Sequence, residues 1–329
     1  MSKILIVKTS SLGDVVHMLP AIYDAAQAIS KLQIDWIVEE NFQEVPRWSP
    51  YVNKVIPIAL RRWRKSLFSL KTWQEIRQFK QTLQLEKYDV VVDSQGLLKS
   101  ALVTTWVNKE PNAVWGYDRY SIREPIAHYF YQNTVSVSRN LHAIERNRLI
   151  LSKVLKYSLD KKLLNYGIAE QQWSLPNNLS TLLEKPYIIA LHGTSKVDKE
   201  WPIEAWLSLL QSMNKEGVNI VFPWGNSSEK QRVEWLCKQA NNAVMLPRCD
   251  LSALASIILS AQAVIGMDTG LMHIAAALNK QGLALYPVTQ INLTGVLSGE
   301  TQNHIENIAG KACQNIDAIV EKIRKFVVV

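Results

Sequence analysis

Short apolar runs alternate with helical patterns twice along this chain, and this alternation limits the possible folds more than any other feature. Runs typical of buried strands occupy residues 4–8, 33–38, 55–59, 90–93, 187–191, 219–222, 243–246, 263–266 and 283–286. Helical patterns, such as those over 15–29 and 69–84, lie between them. Strands that are apolar on both faces and alternate with helices are typical of parallel sheets covered by helices. We therefore predict an α/β fold of two doubly wound, Rossmann-like domains that face each other across a cleft.

The length of 329 residues fits two domains of ordinary size. Polar stretches and the turn signal Pro176-Asn177-Asn178 mark residues 159–185 as a linker. This division predicts an N-terminal domain over residues 1–158 and a C-terminal domain over 186–329, with a terminal helix near 315–326.

Cysteine usage and hydropathy indicate the compartment. The three cysteines, Cys237, Cys249 and Cys313, lack the spacing of metal ligands and cannot all pair, which suits a reducing environment. The apolar run at the amino terminus is flanked by lysines and followed at once by polar residues, so it fits a strand rather than a signal peptide. Nowhere do about 18 apolar residues follow one another without a charge. We expect a cytoplasmic protein with no metal site and no spanning helix.

The positive charge is concentrated in the first half of the chain. Residues 1–165 contain 24 Lys and Arg against 15 Asp and Glu, a net charge of +9, whereas residues 166–329 carry 13 against 14, a net charge of −1. Such asymmetry predicts an anionic partner for the first half, such as a phosphorylated substrate, a lipid surface or nucleic acid. The densest cluster is Arg61-Arg62-Trp63-Arg64-Lys65. It is either a site for phosphates or carboxylates at a membrane interface or a solvated loop.

Residues 265–273 predict an anion site in the second half. An apolar strand ends at Asp268 and Thr269, and a helical pattern of small apolar residues begins near Gly270. The start of a helix offers unpaired N–H groups and a positive dipole end to a phosphate. Asp268 is suited to hydroxyls of ribose or another sugar, and His273 to a phosphate oxygen. Alternatively, Asp268 or Thr269 is a helix cap and His273 a core residue.

Two further post-strand loops in the first half carry candidate residues, because ligands of open parallel sheets bind beyond the carboxyl ends of the strands. Asp14 follows the first strand and is either a general base or a residue of the helix start. Ser94 and Gln95 follow another strand and are suited to a hydroxylated substrate, although an ordinary turn explains them equally well.

The second half has two more loops of this kind. Thr194, Ser195 and Lys199 follow the strand at 187–191 and suit a diphosphate, although a single lysine is more often solvated. Glu229 follows the strand at 219–222, where it either binds ribose hydroxyls or favours a helix start.

Taken in order, these motifs resemble the lipopolysaccharide heptosyltransferases of glycosyltransferase family 9, and among them the type I enzymes. The resemblance extends over nearly the whole chain up to about residue 286, and the ordered set is far more specific than any single motif. The matching segments are Lys8-Thr9-Ser10-Ser11-Leu12-Gly13-Asp14, Arg61-Arg62-Trp63-Arg64-Lys65, Asp93-Ser94-Gln95-Gly96-Leu97-Leu98-Lys99-Ser100, Arg123-Glu124-Pro125, Pro223-Trp224-Gly225 and Asp268-Thr269-Gly270-Leu271-Met272-His273.

The resemblance implies an inverting GT-B glycosyltransferase that uses neither a metal nor another cofactor. It implies transfer of heptose from ADP-L-glycero-β-D-manno-heptose to the first Kdo of Kdo2-lipid A, on the cytoplasmic face of an anionic inner membrane. Asp14 matches the general base. The acceptor-binding positions implied are Arg61, Arg62, Arg64, Lys65, Ser94, Gln95 and Arg123. The donor-binding positions implied are Thr194, Ser195, Lys199, Glu229, Asp268, Thr269, Gly270 and His273, with Cys249 near the adenine, where methionine is more familiar.

The chain departs from this family in one loop. Where the family continues Tyr-Gly-Pro-Thr-Asp-Pro, residues 286–291 are Tyr286-Pro287-Val288-Thr289-Gln290-Ile291, so donor affinity or choice is open to change. Two alternatives remain. One is heptosyltransferase II or a related transferase with another acceptor. The other is a non-catalytic protein that binds nucleic acid or membrane, which leaves Asp14 and the segment 268–273 unexplained.

Overall fold

The computed structural model describes residues 2–160, 162–168, 173–176, 179, 183–194, 197–299 and 304–327. The chain forms two compact units, Met1–Ile168 and Ala169–Val329. Their division falls within the segment 159–185. Several residues of that segment lie outside the described part of the chain, so the structure of the linker stays a prediction.

The first unit is built on a parallel sheet of six strands in the order β3-β2-β1-β4-β5-β6. The strands are β1 (Lys3–Val7), β2 (Gln33–Glu39), β3 (Lys54–Ile58), β4 (Val90–Asp93), β5 (Val114–Tyr117) and β6 (Asn133–Val135). The first four were predicted to within one residue at each end. β5 (Val-Trp-Gly-Tyr) and β6 (Asn-Thr-Val) were missed because a glycine interrupts the first and polar residues make up most of the second, so neither leaves a continuous apolar run.

Seven α-helices accompany this sheet in the described residues. They are α1 (Leu12–Val16), α2 (Leu19–Ala28), α3 (Glu44–Arg47), α4 (Leu60–Lys65), α5 (Leu70–Gln84), α6 (Leu98–Thr104) and α7 (Ala143–Leu155), with 3-10 turns at Glu40–Phe42 and Pro125–Phe130. The prediction of one continuous helix over 15–29 was wrong. The chain breaks at His17 and Met18, and Pro20, which lacks an N–H donor, is accommodated in the first turn of a new helix.

The second unit repeats the plan, with six parallel strands in the order β12-β11-β10-β7-β8-β9. The strands are β7 (Tyr187–Leu191), β8 (Asn219–Phe222), β9 (Ala243–Met245), β10 (Ala263–Met267), β11 (Gly282–Tyr286) and β12 (Ile305–Ala309). The first five lie within one residue of their predicted bounds, whereas β12 was missed. The prediction of two doubly wound α/β domains is confirmed.

Six α-helices belong to the described part of this unit. They are α8 (Ile203–Lys215), α9 (Ser227–Gln239), α10 (Leu251–Ser260), α11 (Gly270–Ala277), α12 (Ile291–Thr294) and α13 (Ile316–Arg324), with 3-10 turns at Val197–Lys199 and Gly310–Gln314. The terminal helix α13 was predicted and packs against α8. Its Ile319 and Ile323 join the buried core that surrounds Trp206 and Phe222.

Strand order decides where a ligand can bind in each unit. Strand order reverses between β1 and β4 in the first sheet and between β7 and β10 in the second. At such a point the connections leave toward opposite sides and open a crevice beyond the carboxyl ends of the strands. A ligand is therefore expected at the loops after these four strands.

Close packing at Gly266 keeps α11 against its sheet. A Cβ at this position would lie 2.5 Å from Met272 Sδ and 2.8 Å from Leu191 Cβ. Only a residue without a side chain fits between β7 and the helix that follows β10.

We expect Gly266→Ala to lower the free energy of unfolding by about 1–3 kcal/mol, because an added methyl group overpacks this contact. Gly225→Ala is the control, since a Cβ there meets its nearest neighbour at 3.5 Å. Chemical denaturation followed by circular dichroism compares the two variants. Equal midpoints would show that β10 and α11 are not tightly packed at Gly266.

Candidate active site

Asp14 lies in the loop and first turn that follow β1. Ser11 precedes α1, and Asp14 is the third residue of that helix. The Oδ2 atom of Asp14 accepts hydrogen bonds from the backbone N–H of Ser11 at 2.6 Å and from its hydroxyl at 3.2 Å. The carboxylate is half-buried. Asp14 therefore stabilises the helix start, as one of the two sequence interpretations held, and stands at the point where strand order reverses.

Gln95 holds the loop that carries Asp14. Its Oε1 atom accepts hydrogen bonds from the N–H groups of Thr9 and Ser10, both at 3.0 Å. Ser94 beside it is buried, with its hydroxyl 3.5 Å from Met18 Sδ. Gln95 therefore supports the loop after β1, whereas the Ser94 side chain packs against the break between α1 and α2. Direct acceptor contact by Ser94 or Gln95 stays a prediction.

A buried lysine and a buried aspartate stand at the carboxyl ends of β1 and β4. Lys8 Nζ donates to the carbonyl oxygen of Ser94 at 3.0 Å. Burial lowers the pKa of Lys8, and the nearby Asp14 and Asp93 oppose that shift. Burial raises the pKa of Asp93, opposed by a hydrogen bond from the Tyr131 hydroxyl at 2.7 Å. The ends of β1 and β4 are thus connected through ionisable groups that are enclosed by protein.

Glu39 and Lys99 were missed by the sequence analysis, although Glu39 ends β2 at the same edge of the sheet. Glu39 is only 1% exposed, and its Oε1 atom accepts a hydrogen bond from the backbone N–H of Arg61 at 3.0 Å. Burial raises the pKa of Glu39, and Arg61 opposes the shift. Lys99 Nζ donates to the Ser10 hydroxyl at 3.3 Å, while burial lowers its pKa. The sequence signal that could have identified Glu39 is a polar residue at the end of an apolar run.

The basic cluster forms helix α4 rather than a loop, although its four Arg and Lys residues are exposed to solvent. Trp63 faces inward and packs edge-on against Phe79, with ring centroids 5.8 Å apart. Arg62 is bound by two carboxylates, with its Nε atom 3.0 Å from Glu40 Oε1 and its guanidinium 2.6 Å from Glu75 Oε2. These contacts tie α4 to the protein and engage the charge of Arg62.

The other cations of the cluster point outward. Arg61 lies over the ring of Phe42, 5.0 Å from its centroid. Arg64 and Lys65 are exposed, and within the described residues no carboxylate forms an ion pair with either. Arg123 is also exposed and follows β5 at the same edge of the sheet. This edge therefore presents cations to a ligand.

In the second unit, Lys199 and Asp268 connect the loops after β7 and β10. Lys199 Nζ lies 2.6 Å from Asp268 Oδ2, and the hydroxyl of Thr289 donates to the same oxygen at 2.7 Å. The two charged side chains are 20% and 14% exposed. Thr194 is half-buried in the same loop, whereas Ser195 lies outside the described residues. Thr289 belongs to the loop that departs from the family and was not predicted as a site residue.

Helix α11 begins directly after these groups. Thr269 occupies the N-cap position, but its side chain makes no capping hydrogen bond, and Gly270 is the first helical residue. Asp268 is half-buried beside this helix start. His273 is 5% exposed on the buried side of α11, as expected for the core histidine of the alternative interpretation. The N-terminus of α11 offers positive potential to an anion, whereas the charge of Lys199 is engaged by Asp268.

Glu229 completes the neighbouring loop after β8. Its carboxylate accepts hydrogen bonds from the backbone N–H of Gly225 at 2.7 Å and from the side chain of Asn226 at 2.8 Å. A Cβ at Gly193 would lie 2.7 Å from Glu229 Oε1, so this glycine makes room for the carboxylate beside β7. Glu229 therefore organises a helix start, as its alternative interpretation held, at the edge where the strands end.

Cys249 lies in the loop after β9, with its thiol 3.3 Å from the carbonyl oxygen of Pro247. Burial raises the pKa of the Cys249 thiol, and Asp250 adds to the shift. Among the described residues, no group of three or more His, Cys, Asp and Glu side chains is placed to hold a metal ion. None of the described helices has the length and apolar character needed to traverse a bilayer.

The family model of glycosyltransferase family 9 (heptosyltransferase) matches residues 76–324. The chain belongs to this heptosyltransferase family. It is thus a glycosyltransferase of lipopolysaccharide biosynthesis with the GT-B fold. The family membership predicted from the motifs is confirmed.

Individual heptosyltransferases resemble the chain over most of its length. Lipopolysaccharide heptosyltransferase 1 of Pseudomonas aeruginosa is 43% identical over 303 residues, which cover 92% of this chain and 83% of that protein. The structure of E. coli heptosyltransferase WaaC with ADP has a TM-score of 0.88 at 36% identity, covering 98% of this chain and 99% of the other. WaaC with ADP-2-deoxy-2-fluoro heptose gives a TM-score of 0.85 at 35% identity, with the same coverage.

In this heptosyltransferase, His192 is a buried support for the loop after β7. Its side chain is fully buried, and its Nε2 atom lies 2.9 Å from the carbonyl oxygen of Pro223. Because a carbonyl oxygen only accepts, Nε2 carries the proton of this hydrogen bond. Burial lowers the pKa of His192 to about 4, although the hydrogen bond to Pro223 favours the charged form.

We expect His192 to make the heptosyltransferase less stable at acidic pH. Its folded pKa of about 4 lies below its ordinary value of 6.5. The stabilisation is therefore complete above pH 6.5 and is lost as the pH falls through about 4. His192→Gln keeps a donor without a titrating ring, so it should weaken this pH dependence by up to about 3 kcal/mol. Chemical denaturation at several pH values between 4 and 6.5 measures this pH dependence, and His304→Gln, at an exposed histidine, is the control. If the free energy of unfolding of His192→Gln depended on pH as that of the wild type does, His192 would not have this role.

Proposed function

We propose that this heptosyltransferase transfers L-glycero-D-manno-heptose from ADP-heptose to the first Kdo sugar of Kdo2-lipid A, with inversion and with Asp14 as the general base. The observation that carries the proposal is the position of Asp14, at the reversal of strand order in the unit where the chain's positive charge is concentrated. The similarity to type 1 enzymes supports this acceptor over that of heptosyltransferase II.

The donor half of the proposal rests on the loops after β7, β8 and β10. Lys199 and the start of α11 would stabilise the diphosphate, which gains negative charge as it leaves. Asp268 and Glu229 would accept hydrogen bonds from sugar and ribose hydroxyls. Cys249 would lie near the adenine. WaaC structures that contain ADP and a fluorinated ADP-heptose support this choice of donor.

The acceptor half rests on the basic edge of the first unit. Arg64, Lys65 and Arg123 are exposed cations beyond the carboxyl ends of the strands. Kdo carries a carboxylate and lipid A carries phosphates, and guanidinium groups bind both kinds of anion bidentately. Arg61 would contribute in the same way. Arg62, which two carboxylates engage, would chiefly hold α4 in place.

The chemistry needs one proton acceptor. Asp14 would take the proton of the acceptor hydroxyl as that oxygen attacks the anomeric carbon of the heptose. The bond from this carbon to the diphosphate oxygen would break with both electrons going to the departing ADP. The N–H and hydroxyl of Ser11 bind Oδ2 of Asp14 and would fix the direction in which the carboxylate points.

The proposed acceptor is anchored in a bilayer, so the enzyme would act at the cytoplasmic face of the inner membrane by peripheral contact. The net charge of +9 over residues 1–165 supports attraction to an anionic surface. Nucleic acid carries the same charge, but that partner would give no role to Asp14 or to residues 268–273.

We expect Asp14→Ala to lower the transfer rate about 10²–10⁴-fold or more, because no other group would accept the hydroxyl proton. Binding of ADP-heptose should persist, since the proposed donor residues lie in the other unit. ADP release from ADP-heptose, measured with and without Kdo2-lipid A, reports transfer, and calorimetry reports donor binding. Asp89→Asn, at the amino-end edge of the sheet where Asp89 binds Lys3 N, is the control. Substantial transfer by Asp14→Ala would remove Asp14 as the base.

We expect replacement of both Arg64 and Lys65 by Ala to raise the KM for Kdo2-lipid A about tenfold or more, because charge-assisted hydrogen bonds to the acceptor are lost. The kcat should change little, since neither group takes part in the chemistry. Lys87→Ala is a matched control, because this exposed lysine pairs with Glu110 away from the site. An unchanged KM in the double variant would exclude Arg64 and Lys65 as acceptor ligands.

A further inference from the structure

The segment that joins α4 to α5, together with the first turn of α5, exposes four large apolar side chains close together in sequence. Leu67 is 49% exposed, Phe68 105%, Leu70 82% and Trp73 58%. We call these four residues the apolar patch. Single exposed apolar residues are common, but a contiguous group usually marks a surface that binds something apolar.

Local contacts fix the apolar patch in its outward position. The indole Nε1 of Trp73 donates to the carbonyl oxygen of Leu67 at 2.8 Å, which closes the segment on itself. The N–H of Ser69 donates to the carbonyl oxygen of Ser66 at 3.1 Å. Leu70 and Trp73 stand three residues apart on α5 and therefore share one face of that helix. The opposite face is anchored, because Phe79 is buried against Trp63.

The surroundings of the apolar patch are cationic. From Arg61 to Gln74 the chain contains five Lys and Arg residues and no Asp or Glu. One of these charges, that of Arg62, is engaged by Glu40 and Glu75. Arg64 and Lys65, which precede the patch, and Lys71, which lies within it in sequence, stay exposed. This combination differs from the centre of a typical protein interface, where lysine is depleted.

We propose that the apolar patch inserts into the boundary between headgroups and acyl chains of an anionic bilayer, while Arg64, Lys65 and Lys71 contact the lipid phosphates. Amphipathic elements with aromatic and leucine side chains beside cations bind membranes in this way. The role of this membrane contact rests on the proposed function, because the enzyme needs to bind a bilayer only if its acceptor is a lipid. The patch follows β3 at the carboxyl edge of the sheet, the edge that also holds Asp14. Docking there would keep this edge at the surface in which the acceptor is anchored.

The test compares the binding of the full-length protein to vesicles of phosphatidylethanolamine and phosphatidylglycerol, without acceptor, by sedimentation. We expect Phe68→Ser combined with Leu70→Ser to weaken binding about tenfold or more, since binding scales with the apolar area inserted. Leu85→Ser is the matched control, because Leu85 is 75% exposed at the far end of α5. Phe68→Leu, which keeps an apolar side chain, should bind like wild type.

Insertion depth has its own readout. Lipids brominated in the acyl chains quench nearby tryptophan, so wild-type fluorescence should fall on binding. Trp73→Phe should bind but lose most of that quenching. Undiminished quenching in Trp73→Phe, or vesicle binding by the Phe68/Leu70 double variant equal to wild type, would overturn the proposal. A different set of results would also overturn it. Light scattering would show that the wild type is a dimer that dissociates in the Phe68/Leu70 double variant, and the wild type would not bind vesicles.

Activity separates this inference from the proposed function. With a deacylated, water-soluble acceptor, the double variant should match wild type in kcat/KM, and with acceptor in vesicles it should be about tenfold slower or more, in line with its weaker binding. Equal loss with both acceptors would overturn insertion as the role of the patch. If wild type transferred heptose to neither acceptor, the proposed function would fail, while vesicle binding would still decide whether the patch inserts.

Discussion

The parallel pairing of β1 with β4, and of β7 with β10, is the constraint on which the rest of this enzyme depends. Parallel strands end at one edge of their sheet, and the reversal of strand order at these pairs leaves a crevice there. Residues far apart in sequence thereby become neighbours. Gln95 after β4 binds the loop after β1, and Asp268 after β10 binds Lys199 after β7. In both units the same topology brings two loops together, but the chemistry differs.

The first unit places charged groups where water does not reach, which is costly unless each is paired. Lys8, Glu39 and Asp93 are all buried at the carboxyl edge of the sheet. Hydrogen bonds from Gln95 N and Tyr131 to Asp93, and from Arg61 N to Glu39, offset that cost. Such networks are rigid because any displacement leaves a buried charge without its partner. Their consequence is a fixed platform for the half-buried Asp14.

The sequence predicts nine of the twelve described strands, the family and the order of the loops, because most buried parallel strands leave an apolar run bounded by polar residues. It does not predict which side chain each polar residue meets. The residue type of Gln95 fits a substrate contact, yet its side-chain oxygen accepts hydrogen bonds from the N–H groups of Thr9 and Ser10. Which residues on different strands become partners depends on the register of the sheet. Glu229 likewise binds the Gly225 N–H and the Asn226 side chain at the start of a helix. The break at His17 was missed because α1 and α2 share one apolar pattern. The apolar patch beside the basic cluster was missed because the type of a residue does not determine whether its side chain is exposed.

The departure at residues 287–291 illustrates how a loop can change while its key contact persists. The family's glycine and aspartate are replaced by Pro287 and Gln290, but threonine is retained at position 289, three residues after Tyr286. Its hydroxyl binds the Asp268 oxygen that Lys199 also approaches. In the proposed donor complex the diphosphate would compete with Asp268 for Lys199, and Thr289 would still hold Asp268 in position. Lys199 would lose little free energy on exchanging the carboxylate of Asp268 for a phosphate, because their ion pair is partly exposed. The altered loop is therefore compatible with the same donor, because the group it must orient is Asp268 and that contact does not need the missing glycine.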